Sequence, residues 1–368
     1  TMKNDRIYQL ALTRVPHIGC VQARLLIETF HTAESVFKAK ESTLEKIEGI
    51  GTVRARSIRS FSGFREQEEE LRFMEENKIA PLFLTDEQYP KRLLNCYDPP
   101  TLLFYNGTAD LNTSKIVAVI GTRNNSEYGK TMTEKIIEEL APLQPLILSG
   151  LAYGIDAIAH KTALKLQTRT VGVLAHGLDL LYPNQHKTIA RDMLANGGGL
   201  LTEFRKGTQP DRHNFPSRNR IVAGMCDAVL VIETSQKGGS MITANLANSY
   251  NKDVFAVPGK VTDLKSEGCN ALIRSNKAVL IQKGTDLIEF MGWAPSRSNS
   301  KPIQKSLFVT LSEEERSILN LLEKEKSLSI DEINFACPLS SSSIAAVLLQ
   351  LELHGIIQSL PGKRYCIQ

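Results

Sequence analysis

The residues with the most to offer chemically are Arg212-His213-Asn214-Phe215-Pro216-Ser217-Arg218-Asn219-Arg220. Three arginines surround one aromatic ring. Single-stranded nucleic acid calls for that pairing, cations for its backbone and a π-face for a base. Pro216 suits the start of a helix, where its missing N–H is an orphan anyway. The other reading makes Arg218 and Arg220 ion-paired surface residues and Phe215 a core residue.

Three more segments offer anion chemistry. Gly121-Thr122-Arg123 follows an apolar run. The glycine lets a ligand approach the backbone, and Arg123 presents a planar fork of donors. Ser149-Gly150-Leu151-Ala152-Tyr153-Gly154-Ile155-Asp156 suits a backbone nest for an anion. Lys237-Gly238-Gly239-Ser240 precedes a helix, whose first N–H groups suit a phosphate, and Lys237 adds charge.

Catalytic arrangements are weaker. Asp156 and His160 share a helix face at i and i+4. They read either as an acid–base pair or as a helix cap beside a packed imidazole. His176 and Asp179 have no partnered nucleophile in a recognisable motif. Neither Gly-x-Gly-x-x-Gly nor a Walker A pattern occurs, which argues against an NAD-dependent enzyme or a P-loop hydrolase. The six cysteines are scattered without Cys-x-x-Cys spacing, so neither a zinc site nor a disulfide framework is expected. No strand end gathers a nucleophile, a base and an orienting group. The expectation is anion binding without turnover, with no catalytic residue, metal or cofactor.

Buried strands must position these segments. The runs Ile116–Ile120, Leu146–Leu148, Val171–Leu174, Leu200–Thr202, Ala228–Ile232, Val254–Val257 and Ala278–Ile281 lack polar alternation. That marks strands covered on both faces. With helical stretches between them they predict an α/β fold, a doubly wound Rossmann-like parallel sheet over residues 86–293. Ligands gather beyond the carboxyl ends of such strands.

Residues 1–85 read as helical. Val15-Pro16-His17-Ile18-Gly19 and Ile47-Glu48-Gly49-Ile50-Gly51, each with an Ala four residues on, form a helix-hairpin-helix pattern. Such hairpins hold phosphates or serve packing alone. A polar linker over 294–305 leads to three helices, from about Ser312, from Ser329 to Ala336 and from Ser340 to His354. A hairpin is expected around Pro361-Gly362. Residues 306–368 thus predict a winged helix.

Two or three domains fit 368 residues, and 42% hydrophobic residues allow a sizeable core. No apolar run approaches the roughly 20 residues of a membrane span. The opening Thr1-Met2-Lys3-Asn4-Asp5-Arg6 lacks a secretion-signal core, and a cytoplasmic location is expected. Five basic and eight acidic residues leave 306–368 at −3, so the rest of this +4 chain carries +7. A polyanion should bind before residue 306.

The chain resembles the DNA-processing protein A family (DprA/Smf, DNA-protecting protein). The resemblance rests on Tyr89-Pro90 with Asp98-Pro99-Pro100, on Gly121-Thr122-Arg123, and on Ser149 through Asp156 with Ala159-His160. It continues through Gly177-Leu178-Asp179, Tyr182-Pro183, Phe215 through Ile221, Gly239-Ser240 through Ala244, and Val257-Pro258-Gly259. It implies a non-catalytic single-stranded DNA binder of natural transformation and recombination. Such a protein protects incoming strands and loads a RecA-type recombinase, with a single-strand-binding protein as a further candidate partner. It also implies a homodimer formed through the Rossmann-like domain. Carried over by motif, the DNA contacts are Gly121, Thr122, Arg123, Phe215, Arg218, Asn219 and Arg220, with the turns at Gly150 and at Lys237, Gly239 and Ser240. Lys161, after the Ala-His pair, is added. Phosphoribohydrolases of similar fold carry Pro-Gly-Gly-x-Gly-Thr and a nearby catalytic glutamate. The comparable turn here lacks that glutamate.

The third winged-helix helix, Ser340–His354, has no Lys or Arg, whereas a duplex-reading helix carries polar or basic readers. An isolated 306–368 fragment should therefore show no duplex binding in an anisotropy titration at physiological salt. Measurable binding would reverse this reading.

Overall fold

The structure is a computed structural model that describes residues 2–294, 312–325, 327–360 and 364–367. It divides into two compact units, Thr1–Pro295 and Ser296–Gln368.

The first unit opens with six helices: α1 (Met2–Leu12), α2 (Cys20–Phe30), α3 (Ala33–Lys38), α4 (Glu41–Glu45), α5 (Gly51–Arg59) and α6 (Phe64–Glu76). Nine strands follow: β1 (Ala80–Phe83), β2 (Leu102–Gly107), β3 (Ile116–Ile120), β4 (Leu146–Ser149), β5 (Thr170–Val173), β6 (Gly199–Thr202), β7 (Ala228–Val231), β8 (Asp253–Ala256) and β9 (Val279–Leu280). The helices among them are α7 (Lys91–Leu94), α8 (Glu127–Leu140), α9 (Ile155–Lys165), α10 (Lys187–Ala195), α11 (Asn214–Met225), α12 (Gly239–Ser249), α13 (Glu267–Arg274) and α14 (Gly284–Phe290).

The strands form one sheet in the order β1-β2-β6-β5-β4-β3-β7-β8-β9. From β6 to β9 every pairing is parallel. The chain winds outward from β3 to β6, then returns to β7 on the other side of β3. The switch point therefore lies between β3 and β7, where a ligand crevice is expected.

Strand β3 shows why these runs lack alternation. Its period of two sends Val117 and Val119 into one core, with Ile136, Ile137 and Leu140 of α8. Ile116, Ala118 and Ile120 enter the core on the other face, with Ile221 of α11 and Ala244 of α12. Both faces are apolar because both are covered.

Two expectations need correction. The sheet is not wholly parallel, since β1 pairs with β2 and β2 with β6, both antiparallel. Nor does it start after residue 85, since β1 begins at Ala80. Pro81 hid this strand from the sequence pattern. A proline is tolerated there because β1 is an edge strand.

The helical segment shares its core with the sheet: Leu10, Leu26, Leu44 and Ile58 pack in the same cluster as Phe83 and Leu103. One arginine bolts the two together. Arg205 Nη1 donates to Gln67 Oε1 at 2.6 Å and to Glu70 Oε2 at 3.0 Å. Its Nη2 donates to Leu10 O and to Thr13 Oγ1, both at 2.7 Å.

The second unit contains α15 (Glu313–Lys324), β10 (Leu328–Ser329), α16 (Ile330–Ala336), α17 (Ser341–Leu353), β11 (Ile357–Leu360) and β12 (Arg364–Ile367). Its sheet order is β10-β12-β11, a winged helix. Ser312, Ser329 and Ser340 cap its three helices, each accepting an N–H three residues on. The outward face of α17 carries Ala345, Ala346, Leu349 and Leu353. The expected linker at 294–305 lies, after residue 294, outside the described residues, as does the Pro361-Gly362 turn. Among the described residues no helix is long and apolar enough to cross a membrane.

Removing one partner of a buried pair costs about 3–5 kcal/mol. Arg205→Ala should therefore lower unfolding stability by about 3 kcal/mol in urea. A loss below about 1 kcal/mol would show that apolar contact alone holds the helical segment.

Candidate nucleic-acid interface

The turns after β3, β4 and β7 meet the start of α11 around a cavity of about 470 Å³ at the switch point. Each turn has a physical reason for its residues. A side chain at Gly121 would collide with Ile155 of α9. Thr122 is pinned by its backbone, donating to Glu233 O at 2.7 Å and accepting from Ile155 N–H at 3.2 Å. Arg123 beyond it is exposed. Gly154 has φ +76°, a left-handed value that favours glycine, and α9 starts there without a side-chain cap. Helix α12 likewise starts after Gly238 with no side-chain cap. Ser240 is buried and donates to Thr234 Oγ1 at 2.7 Å.

Arg218 forms the floor and is only 5% exposed. Its Nη1 donates to Val173 O at 2.7 Å and to Gly150 O, and its Nε to Asn219 Oδ1 at 3.0 Å. Nη2 has no acceptor among the described residues. A side chain at Gly150 would occupy the space of this guanidinium. Burial pushes the Arg218 pKa down, and the charge of Asp156 opposes that. Asp156 is buried too, and burial pushes its carboxyl up against the pull of Arg218 and the Ala152 N–H. Phe215 lies 4.7 Å from the Arg123 guanidinium carbon and 5.9 Å from that of Arg218. These are cation–π distances.

Of the expected residues, the cavity gathers Gly121, Thr122, Arg123, Gly150, Phe215, Arg218, Asn219, Gly239 and Ser240. Lys161 and Lys237 are exposed and lie outside its wall. Arg220 does not belong to it. Two residues along a helix is about 200° around its axis. Arg220 therefore faces away, donating to Glu203 and Asp98 O. Arg212, Asp156, Thr234 and Ser235 also line the cavity but were not singled out as contacts. Arg212 and Asp156 stand in the quoted motifs, and that was the available signal.

The groups considered for catalysis take part in local hydrogen bonds. Asp156 accepts the Ala152 N–H at 3.3 Å. His160 is fully buried and its Nδ1 meets Thr170 Oγ1 at 2.7 Å. That hydroxyl already donates to Ile147 O, so Nδ1 carries the imidazole proton. His176 Nε2 accepts the Tyr182 N–H, and Asp179 accepts the Gly207 N–H with both oxygens. Glu233 accepts from the Ser126 N–H at 2.9 Å and from the Ser126 hydroxyl, holding the start of α8.

Fold and cavity together define a doubly wound α/β protein with a crevice lined by glycines and arginines, flanked by a helical segment and a winged helix. The model of the DNA recombination-mediator protein A family matches residues 80–292, that of the DprA winged helix domain residues 307–363, and a helix-hairpin-helix motif residues 10–70. The chain belongs to the DNA recombination-mediator protein A family. It is 32% identical to protein Smf of Synechocystis over 98% of both chains. It is 41% identical to DNA processing protein DprA of Streptococcus pneumoniae over 57% of this chain and 74% of that one. The pneumococcal structure matches with TM-score 0.66 and 33% identity, over 77% of this chain and 97% of that one. The structure of the Helicobacter pylori protein matches with TM-score 0.53 and 32% identity, over 59% of this chain and 96% of that one. It is described as showing a unique single-stranded DNA binding mode.

Burial, His186 and Arg218 hold the His160 pKa down at about 3, against 6.5 for a free imidazole. Between those values the unfolded chain binds the extra proton. This contribution to stability is full above pH 6.5 and falls as the pH drops, by about 1.4 kcal/mol per unit. Unfolding free energies from urea titrations should fall by about 2 kcal/mol between roughly pH 7.5 and 5, and much less in His160→Gln. Equal losses in both proteins would place the acid sensitivity elsewhere.

Proposed function

We propose that the chain binds single-stranded DNA in the switch-point cavity without covalent chemistry, and that it protects incoming strands and delivers them to a RecA-type recombinase in the cytoplasm. The observation that carries this is Phe215 beside two guanidiniums, one exposed and one buried with Nη2 unclaimed among the described residues. An aromatic face holds a base and paired cations hold its phosphates. Two uncapped helix starts add N–H donors. Lys161 and Lys237 act as long-range attraction, not as contacts.

A homodimer completes the proposal. Edge strand β9 exposes Leu280, and the adjoining α14 exposes Phe290. An open edge with apolar side chains suits a second copy. The winged helix, acidic and with an apolar outward face on α17, is the arm for protein partners, a single-strand-binding protein among them.

Anisotropy of a labelled 35-mer across a salt series tests the core of this. Single strands should bind well ahead of duplex, with a log–log salt slope of about −2 to −3 for three or four phosphates. Arg123→Ala and Phe215→Ala should each weaken binding about tenfold, within the roughly 1–3 kcal/mol of a stacked base. Equal affinity for duplex, or two indifferent variants, would refute the assignment.

A further inference from the structure

A second cavity of about 680 Å³ lies in the first unit, at the seam between the helical segment and the sheet. One wall is the turn Ile18-Gly19-Cys20 with Arg14. The other is the segment from Glu203 to Thr208 that leaves β6. It therefore opens beyond the carboxyl end of β6, on the same rim as the switch-point cavity. Two strands, β5 and β4, separate β6 from β3. Three strand spacings make about 14 Å. At duplex rise that equals about four nucleotides of one strand, and fewer if the strand is stretched.

The two cavities share a covalent wall. The chain leaving Thr208 runs through Arg212, which lines the first cavity, and enters α11 with Phe215. The Arg205 bolt fixes the seam cavity in place before any ligand arrives, so little ordering cost remains for binding.

Its polar groups sort by what they can still do. Arg205 and Arg220 are occupied by their partners. Arg14 is exposed and has no ion partner among the described residues. Lys206 sits 4.2 Å over the Phe73 ring, a contact that leaves its ammonium hydrogens open. Glu203 gives Oε2 to Arg220, whereas its Oε1 is buried with no partner. That oxygen has almost no accessible surface and is closed to a ligand in the cavity. Glu66, exposed on α6, adds a carboxylate to the wall. The apolar wall beneath includes Phe104 and Phe204. Two open cations beside an apolar wall fit a nucleotide, with the cations on its phosphates.

We propose that the seam cavity is a second nucleotide-holding site on one continuous single-strand path, with Arg14 and Lys206 taking phosphates. The proposal rests on the single-strand reading of the first cavity. It makes the helical segment part of the DNA interface.

The experiment measures the full chain against 4-mer and 20-mer oligonucleotides of dC and of dT, across a salt series. The proteins are wild type, Arg14→Glu with Lys206→Glu, and Arg123→Ala. Both surface changes are exposed and leave the core intact. The double variant should lose roughly tenfold or more on 20-mers and less than about twofold on 4-mers. Its salt slope should shrink by about 1.4 for two lost phosphate contacts. If the double variant keeps wild-type affinity and slope on 20-mers while Arg123→Ala weakens both lengths, the second site is overturned and the first stands. If Arg123→Ala changes neither length, the reading of the first cavity falls and this one with it.

Discussion

The site depends on burying the Arg218 guanidinium beneath the switch point. A charge this deep survives only with matched acceptors. Gly150 O, Val173 O and Asn219 Oδ1 supply them, and the Asp156 charge opposes the loss of solvent. These acceptors come from the end of β4, the end of β5 and α11. One side chain therefore ties three elements at the point where a ligand must sit. Glycine at 150 follows directly, because any side chain there would displace the guanidinium. An arginine held this way aims its remaining donors without loss of rotamer freedom on binding.

The same constraint separates Arg218 from Arg220. Arg220 holds Glu203 and the backbone of Asp98, and Tyr250 Oη donates to the Asp98 carboxylate at 2.5 Å. It thereby ties the opposite side of α11 to the segment leaving β6 and to the loop after α7. A helix that carries a ligand on one face must be anchored on the other. On the proposed reading, two arginines two residues apart divide binding from bracing.

How much was legible follows from which signals are local. The β3 to β8 runs could be read because strands buried on both faces show as nearly uninterrupted apolar stretches. Strand β1 could not, because Pro81 and partial exposure erase that mark. The cavity residues Gly121, Arg123 and Gly150 were visible as glycines and a cation at strand ends, and Phe215 as an aromatic among arginines. The misplacement of Arg220 came from treating neighbours in sequence as neighbours in space, although 200° around a helix separates it from Arg218. Lys161 and Lys237 carried the right charge in the right turns, but exposed lysines are not held to the wall by packing. Arg205 gave no local signal at all. Its four partners lie between 135 and 195 residues away.

A protein that must hold a strand and then yield it cannot rely on one very tight pocket. Stacking on one ring contributes about 1–3 kcal/mol, and a few phosphates add a salt-sensitive increment. A single cavity built this way releases readily. Linking cavities along one strand changes the regime, since each later contact forms at high effective concentration and overall affinity can rise 10²–10⁴-fold. In the proposed homodimer, repeated shallow sites give retention of a long strand together with stepwise release. A displacing recombinase then needs to outcompete only one nucleotide-sized contact at a time. That logic accounts for a crevice built from preset glycines and a buried arginine rather than from a closing lid. It also accounts for the charge imbalance along the chain, in which the residues before 306 carry +7 and the rest carry −3. The positive charge that would attract a strand thus lies before residue 306 and not in the winged-helix segment.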